Sequence, residues 1–222
     1  KKVRIEMDKI GKAEKTILIN DGEKTIEGSL IIPAGAGGIV VFAHGSGSSR
    51  HSVRNNYVAA VIRKNNLATF LLDLLTPEED ADYSKRFDID LLAHRLFIAT
   101  KWLQEQPDTK NLRIGYFGAS TGAAAAIQSA AGNADIVKAI VSRGGRPDLA
   151  MPYLEKITAP TLLIVGGNDE IVIELNIEAY NNLQCDKKLE IVEGATHLFE
   201  EPGTLEQVAI LAEKWFEKYL AC

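Results

Sequence analysis

Short apolar, β-branched runs punctuate the chain: "TILIN", "TIEGSLIIP", "GIVVFAH", "LATFLLD", "RIGYFG", "VKAIVSR", "APTLLIVGG" and "KKLEIVEG". Unbroken apolar runs suit strands buried on both faces. From "GIVVFAH" onward they are separated by stretches with helical spacing, which predicts a mostly parallel sheet with helices on both sides. The first two runs leave no room for a helix between them, so the sheet is expected to start antiparallel. The expected fold class is therefore α/β, with a twisted sheet of about eight strands.

Helices are predicted at about 52–65, 88–105, 121–132, 171–183 and 204–220. In the last, Leu205, Val208, Ala209, Ala212, Trp215, Phe216, Tyr219 and Leu220 share one face at three- and four-residue spacing. Thr204 and Gln207 have the spacing of a capping box at its start. "TPEEDADYSKRFDID", residues 76–90, is the longest polar insertion and reads as a solvated loop. "PAGAGGIVV" is glycine-rich but precedes its strand, whereas a dinucleotide fingerprint follows one, so it reads as a turn. With no internal repeat and no linker, residues 1–222 read as a single α/β domain.

A net charge of -5 gives no general attraction to phosphate backbones or anionic bilayers, so neither nucleic acid nor membrane is expected as a partner. No window holds the roughly 20 continuous apolar residues that span a bilayer. The charged start "KKVRIEMDKIGKAEK" does not look like a secretory signal. The two cysteines, Cys185 and Cys222, form no disulfide framework. A cytoplasmic location is the expectation.

Gly118-Ala119-Ser120-Thr121-Gly122 fits G-x-S-x-G between a strand-like "RIGYF" and a helix-forming "AAAAIQSAA". A sharp turn there lifts the Ser120 hydroxyl above the strand ends. The alternative is a glycine turn opening a buried helix, and the pattern alone does not separate the two. A serine hydroxyl is a poor nucleophile until a histidine takes its proton and a carboxylate orients that histidine. His197 is the only histidine after Ser120, in "VEGATHLFEEPG" beyond the last predicted strand. Asp169 follows a buried-looking strand in "APTLLIVGGNDEIV"; adjacent Glu170 needs a different loop path, and Asp148 is a less favoured substitute. Two N–H donors must face the developing oxyanion. The amide of Thr121 is one candidate and that of Ser46, in "FAHGSGSSR", the other. That loop looks like a phosphate cradle but lacks the G-x-x-x-x-G-K-[ST] lysine.

With "HGSGSS", "GASTG", "GGND" and "GATHLFEEPG" in order, the chain resembles an α/β-hydrolase, and more narrowly the dienelactone hydrolase-like group, over about residues 15–220. The resemblance makes Ser120 the nucleophile, His197 the general base and acid, and Asp169 the orienting carboxylate. It also implies that neither metal nor organic cofactor is needed. Dienelactone hydrolases proper use cysteine where this sequence has serine, a departure that puts dienelactone itself in doubt as the substrate. "SRGGRPDL" and "ATHLFEEPG" look like a bacterial group sometimes fused to a phosphoribosyltransferase domain, and no phosphoribosyl chemistry is inferred for this chain.

Residues 142–160 are too few for a cap domain, so the site is expected to be open and suited to small esters. Arg143 and Arg146 are substrate-binding candidates for a carboxylate. Against that stands the commoner use of such residues, an ion pair with Asp148 or with the acidic insertion. His44 is assigned a structural place behind the oxyanion loop, and His51 and His94 helix surface or core. The expected function is a serine hydrolase acting on small carboxylic esters, lactones or thioesters through an acyl-enzyme. A non-catalytic small-molecule binder and an acyltransferase are the alternatives, and a homodimer is left open.

Overall fold

A computed structural model describes residues 5–7 and 13–221. Cys222 and most of the charged start of the chain lie outside them. The strands are β1 (Ile5–Met7), β2 (Ala13–Asp21), β3 (Lys24–Ile31), β4 (Gly38–Ala43), β5 (Leu67–Leu72), β6 (Arg113–Ala119), β7 (Val137–Arg143), β8 (Thr161–Gly166) and β9 (Lys187–Val192). They form one sheet in the order β1-β2-β3-β5-β4-β6-β7-β8-β9. The pairs β1/β2, β2/β3 and β3/β5 are antiparallel, and from β5 to β9 every pair is parallel. All eight predicted runs are strands; β1 is the ninth, too short and too charged in sequence to stand out. Gly22, at φ 61°, turns β2 back into β3.

The helices are α1 (Val53–Lys64), a four-residue α2 (Pro77–Asp80), α3 (Ile89–Glu105), α4 (Thr121–Ala131), α5 (Glu170–Asn182) and α6 (Thr204–Leu220). Each expected helix is present within about two residues. Two cores result. Val58, Ile62, Phe216 and Leu220 of α1 and α6 pack on one sheet face through Phe42, Phe117 and Val141. Leu92, Leu96, Ile127 and Ala179 of α3, α4 and α5 pack on the other through Val41, Tyr116 and Leu163. Strand order reverses at β4, whose neighbours are β5 and β6. A crevice opens above the carboxyl ends of the strands at such a switch point.

Two local expectations are corrected. The start of α6 has no capping box: Gly203, at φ 82°, is the N-cap, and Thr204 turns its hydroxyl back to the Glu201 carbonyl at 2.8 Å. With Thr204 already inside the helix, its side chain cannot serve as the cap. The insertion at 76–90 is not a plain solvated loop. Thr76 caps α2 in a reciprocal box with Glu79, and a 3-10 turn follows at Tyr83–Phe87. Glu79 is buried because it pairs with Arg95 on α3 at 2.8 Å. Arg95 also meets Asp21 at 3.3 Å. Arg95→Met should therefore destabilise the fold by roughly 3–5 kcal/mol, since it strands a buried carboxylate. Urea unfolding of the variant measures this.

Between β7 and β8 lies only a kinked 3-10 segment, Pro147–Lys156, so no cap covers the strand ends there. Among the described residues no helix is long and apolar enough to cross a membrane.

Candidate active site

β6 ends in Ala119 and α4 begins at Thr121, so Ser120 alone makes the turn between them. Its backbone sits at φ 51°, ψ -121°, a conformation L-residues rarely adopt and which costs about 1–3 kcal/mol. The surroundings hold it there. The Ser120 N–H donates to the Arg143 carbonyl at 3.2 Å, and its own carbonyl accepts from Ala123 and Arg146 at 3.0 and 3.1 Å. The flanking glycines are needed for close approach: a Cβ on Gly118 would lie 2.4 Å from the Ala123 Cα, and one on Gly122 would lie 2.2 Å from the Ala43 carbonyl oxygen.

His197 follows β9 in a loop whose Phe199, also at positive φ (55°), is buried beneath it. The His197 Nδ1 donates to Asp169 Oδ2 at 2.6 Å. Asp169, not Glu170, makes this contact; Asp148 is engaged elsewhere. The two loops are stitched together by Gly167 N–H to Val192 at 2.8 Å and Asn168 N–H to Ala195 at 2.9 Å. Gly166 permits that approach, because a Cβ there would stand 2.4 Å from the Ala195 carbonyl oxygen. With its Nδ1 proton committed to the carboxylate, the imidazole keeps its Nε2 lone pair free. The His197 side chain is 38% exposed, open to an incoming ligand.

Ser120, His197, Ser46 and Arg143 line one cleft of about 180 Å³. No hydrogen bond joins the Ser120 hydroxyl to His197, whose one side-chain partner among the described residues is Asp169. Ser46 sits in the loop after β4, which Gly47 turns at φ 68°. His44 braces that loop: its Nε2 accepts from the Leu74 N–H at 3.1 Å, so the ring proton is on Nδ1, facing the Gly45 carbonyl at 2.9 Å. Burial lowers the His44 pKa and keeps the ring neutral. Thr121 lies at the first position of α4 and borders the adjoining hollow, shared with Ser46 and Arg86. His51 lies in the turn before α1, and His94 is on the surface of α3, 3.1 Å from Asp21.

The two candidate arginines part company. Arg146 forms a two-bond ion pair with Asp148 at 2.8 and 2.7 Å, which raises its pKa. Arg143 is buried in the cleft wall, with its guanidinium 5.8 Å from the Phe199 ring. Sequence reasoning missed Phe199 and the first turn of α1, where Arg54 and Asn55 also line the cleft. A basic residue at a helix N-terminus, against the dipole, was the available signal. Among the described residues no cluster of three or more His, Cys, Asp or Glu side chains is placed to hold a metal ion.

A strand-turn-helix serine beside a histidine-carboxylate pair, at the carboxyl edge of this sheet, defines an α/β-hydrolase. The model of the dienelactone hydrolase family matches residues 77–221, and the chain belongs to that family. It is similar to a dienelactone hydrolase from Anabaena variabilis, 54% identical over 94% of this chain and 99% of that one, with a TM-score of 0.91. It is also 56% identical, over 93% of its length, to a Mycobacterium tuberculosis protein named as a candidate phosphoribosyl transferase. The chain spans 47% of that relative. Est1E from Butyrivibrio proteoclasticus, 15% identical over 91% of this chain and 98% of that one, shares the fold with a TM-score of 0.79.

Proposed function

We propose that the protein hydrolyses small carboxylic esters through a covalent acyl-enzyme on Ser120. The observation that carries this reading is the His197–Asp169 bond of 2.6 Å, held over a cleft that also contains the strained Ser120. His197 Nε2 takes the hydroxyl proton as Ser120 Oγ bonds to the ester carbonyl carbon. The carbonyl oxygen becomes negative and receives the backbone N–H groups of Ser46 and Thr121; the latter also opens helix α4, whose dipole favours the charge. Collapse breaks the bond to the alcohol oxygen, which leaves with the proton returned by His197. Water then repeats the sequence on the acyl-enzyme, with His197 again as base, and frees the carboxylic acid. Open walls admit water and favour hydrolysis over transfer to another alcohol.

A fluorophosphonate tests the reading directly. Stoichiometric labelling of Ser120 is expected, lost in His197→Ala. A folded sample that does not label would leave the cleft as a binding site without chemistry.

A further inference from the structure

β9 closes the sheet: β8 is its neighbour on one side, and among the described residues no strand lies on the other. Its backbone polar groups alternate in direction. The carbonyls of Asp186 and Val192 accept from the N–H groups of Thr161 and Gly167 at 2.9 and 2.8 Å, so the even-numbered residues face β8. Lys187, Leu189 and Ile191 therefore direct their N–H and C=O groups outward, away from the sheet.

Edges of this kind are normally blunted by charge, lysine above all. Here the charges are spent. The Lys187 ammonium folds back onto the carbonyls of Tyr180 and Leu183, both at 2.7 Å. Lys188 is matched by Glu190 at 2.5 Å, on the same face of the strand. Ile191 stands 44% exposed on the opposite face, along the strand from Leu189, which packs partly against the core under α5. The edge is left close to neutral, with an apolar side chain in reach of a partner.

The spacing of those charges says which partner. Laid antiparallel on a second copy with Leu189 on the two-fold axis, β9 sets Lys187 opposite Ile191 of the partner subunit and Lys188 opposite Glu190 of the partner subunit. Leu189 faces outward, so it meets its own counterpart as a hydrogen-bonded pair, and Lys187 with Ile191 makes another. Each of these residues gives and takes one backbone bond. Lys188 and Glu190 fall at the non-hydrogen-bonded positions between, where facing side chains come closer and opposite charges attract most. A slip that puts Lys188 or Glu190 on the axis instead sets like charges face to face.

We propose that two copies of the chain associate through β9, antiparallel about Leu189, so that one continuous sheet crosses the two-fold axis. The proposal stands apart from the ester-hydrolase reading, since none of the residues placed in that site lies on β9.

Charge reversal reads the register. Sedimentation equilibrium is expected to give twice the chain mass for the unmutated protein. Lys188→Glu sets acidic side chains opposite Glu190, and Glu190→Lys sets basic ones opposite Lys188. Each is expected to raise the dimer dissociation constant roughly tenfold or more, and the double reversal to restore it. Lys188 is 60% exposed, so unchanged urea midpoints are expected to show both variants folded. Because reversal also disturbs the pair within one chain, the decisive measurement mixes the two single variants. Acidic positions of one then face basic positions of the other on both sides of the axis, so heterodimers are expected to outnumber both homodimers by native mass spectrometry. Should a reversal not fold, the unmutated dimer serves, its dissociation constant rising with salt as the cross-strand charges are screened. A monomer at every concentration overturns the proposal. So does a dimer indifferent to salt and to either reversal, or a mixture without preference for the heterodimer.

Discussion

Ser120→Ala is expected to lower kcat on a short-chain aryl ester by at least roughly 10⁴-fold, with the fold intact. Other hydroxyls border the cleft, those of Ser46, Ser48 and Ser52, but only Ser120 sits at the strained turn where the proposed base and oxyanion donors converge. Alanine fills the same backbone position and keeps the same φ penalty, so lost turnover reports the missing oxygen rather than a collapsed elbow. Glycine at 120 separates the two effects further. It removes the oxygen and also relieves the positive-φ strain, so Ser120→Gly is expected to be inactive yet more stable by about 1 kcal/mol in urea. Wild-type rates in either variant would end the acyl-enzyme reading.

Asp169→Asn is expected to cost about 10⁴-fold in kcat with little change in KM. Asp169 accepts the Nδ1 proton of His197 and does not itself line the cleft. Asparagine has the same shape, but its amide nitrogen donates. The imidazole would then carry its proton on Nε2 and could no longer take one from serine. Asp169 makes no side-chain cap on α5, so the helix start is unaffected and the loss falls on proton transfer. A rise in KM with kcat preserved would mean that the carboxylate serves binding instead.

Periodicity carried most of the architecture. Runs such as "GIVVFA" and "TLLIVG" are buried along their whole length, and that is why they were readable as central strands. What the one-dimensional pattern could not supply were decisions made by distant neighbours. The acidic insertion looked solvated because its partner for Glu79, Arg95, lies on another helix, although T-P-E-E already had capping-box spacing and a proline suited to a helix start. Arg143 and Arg146 were equivalent in sequence. The structure sets them apart because Asp148 is two residues from Arg146, whereas the strand end buries Arg143 beneath the ring of Phe199 from the histidine loop. The Ser120, Asp169 and His197 set was legible through chain order, and the structure adds the pairing of the last two and the cleft shared by the first and last.

The sheet order has a consequence for how the protein comes into being. Ser46, Ser120, Arg143, Asp169 and His197 stand at or just beyond the ends of β4, β6, β7, β8 and β9, which are successive neighbours in the sheet. No two of them are brought together by a local hairpin; each meeting requires closing a long crossover, the slow kind of step in folding. A refolding chain with β4, β6 and β7 paired would already have the Ser120 elbow, but neither Asp169 nor His197 in place until β8 and β9 dock at the edge. The proposed ester turnover therefore serves as a clock for the last strands, expected to return later than the bulk of the secondary structure.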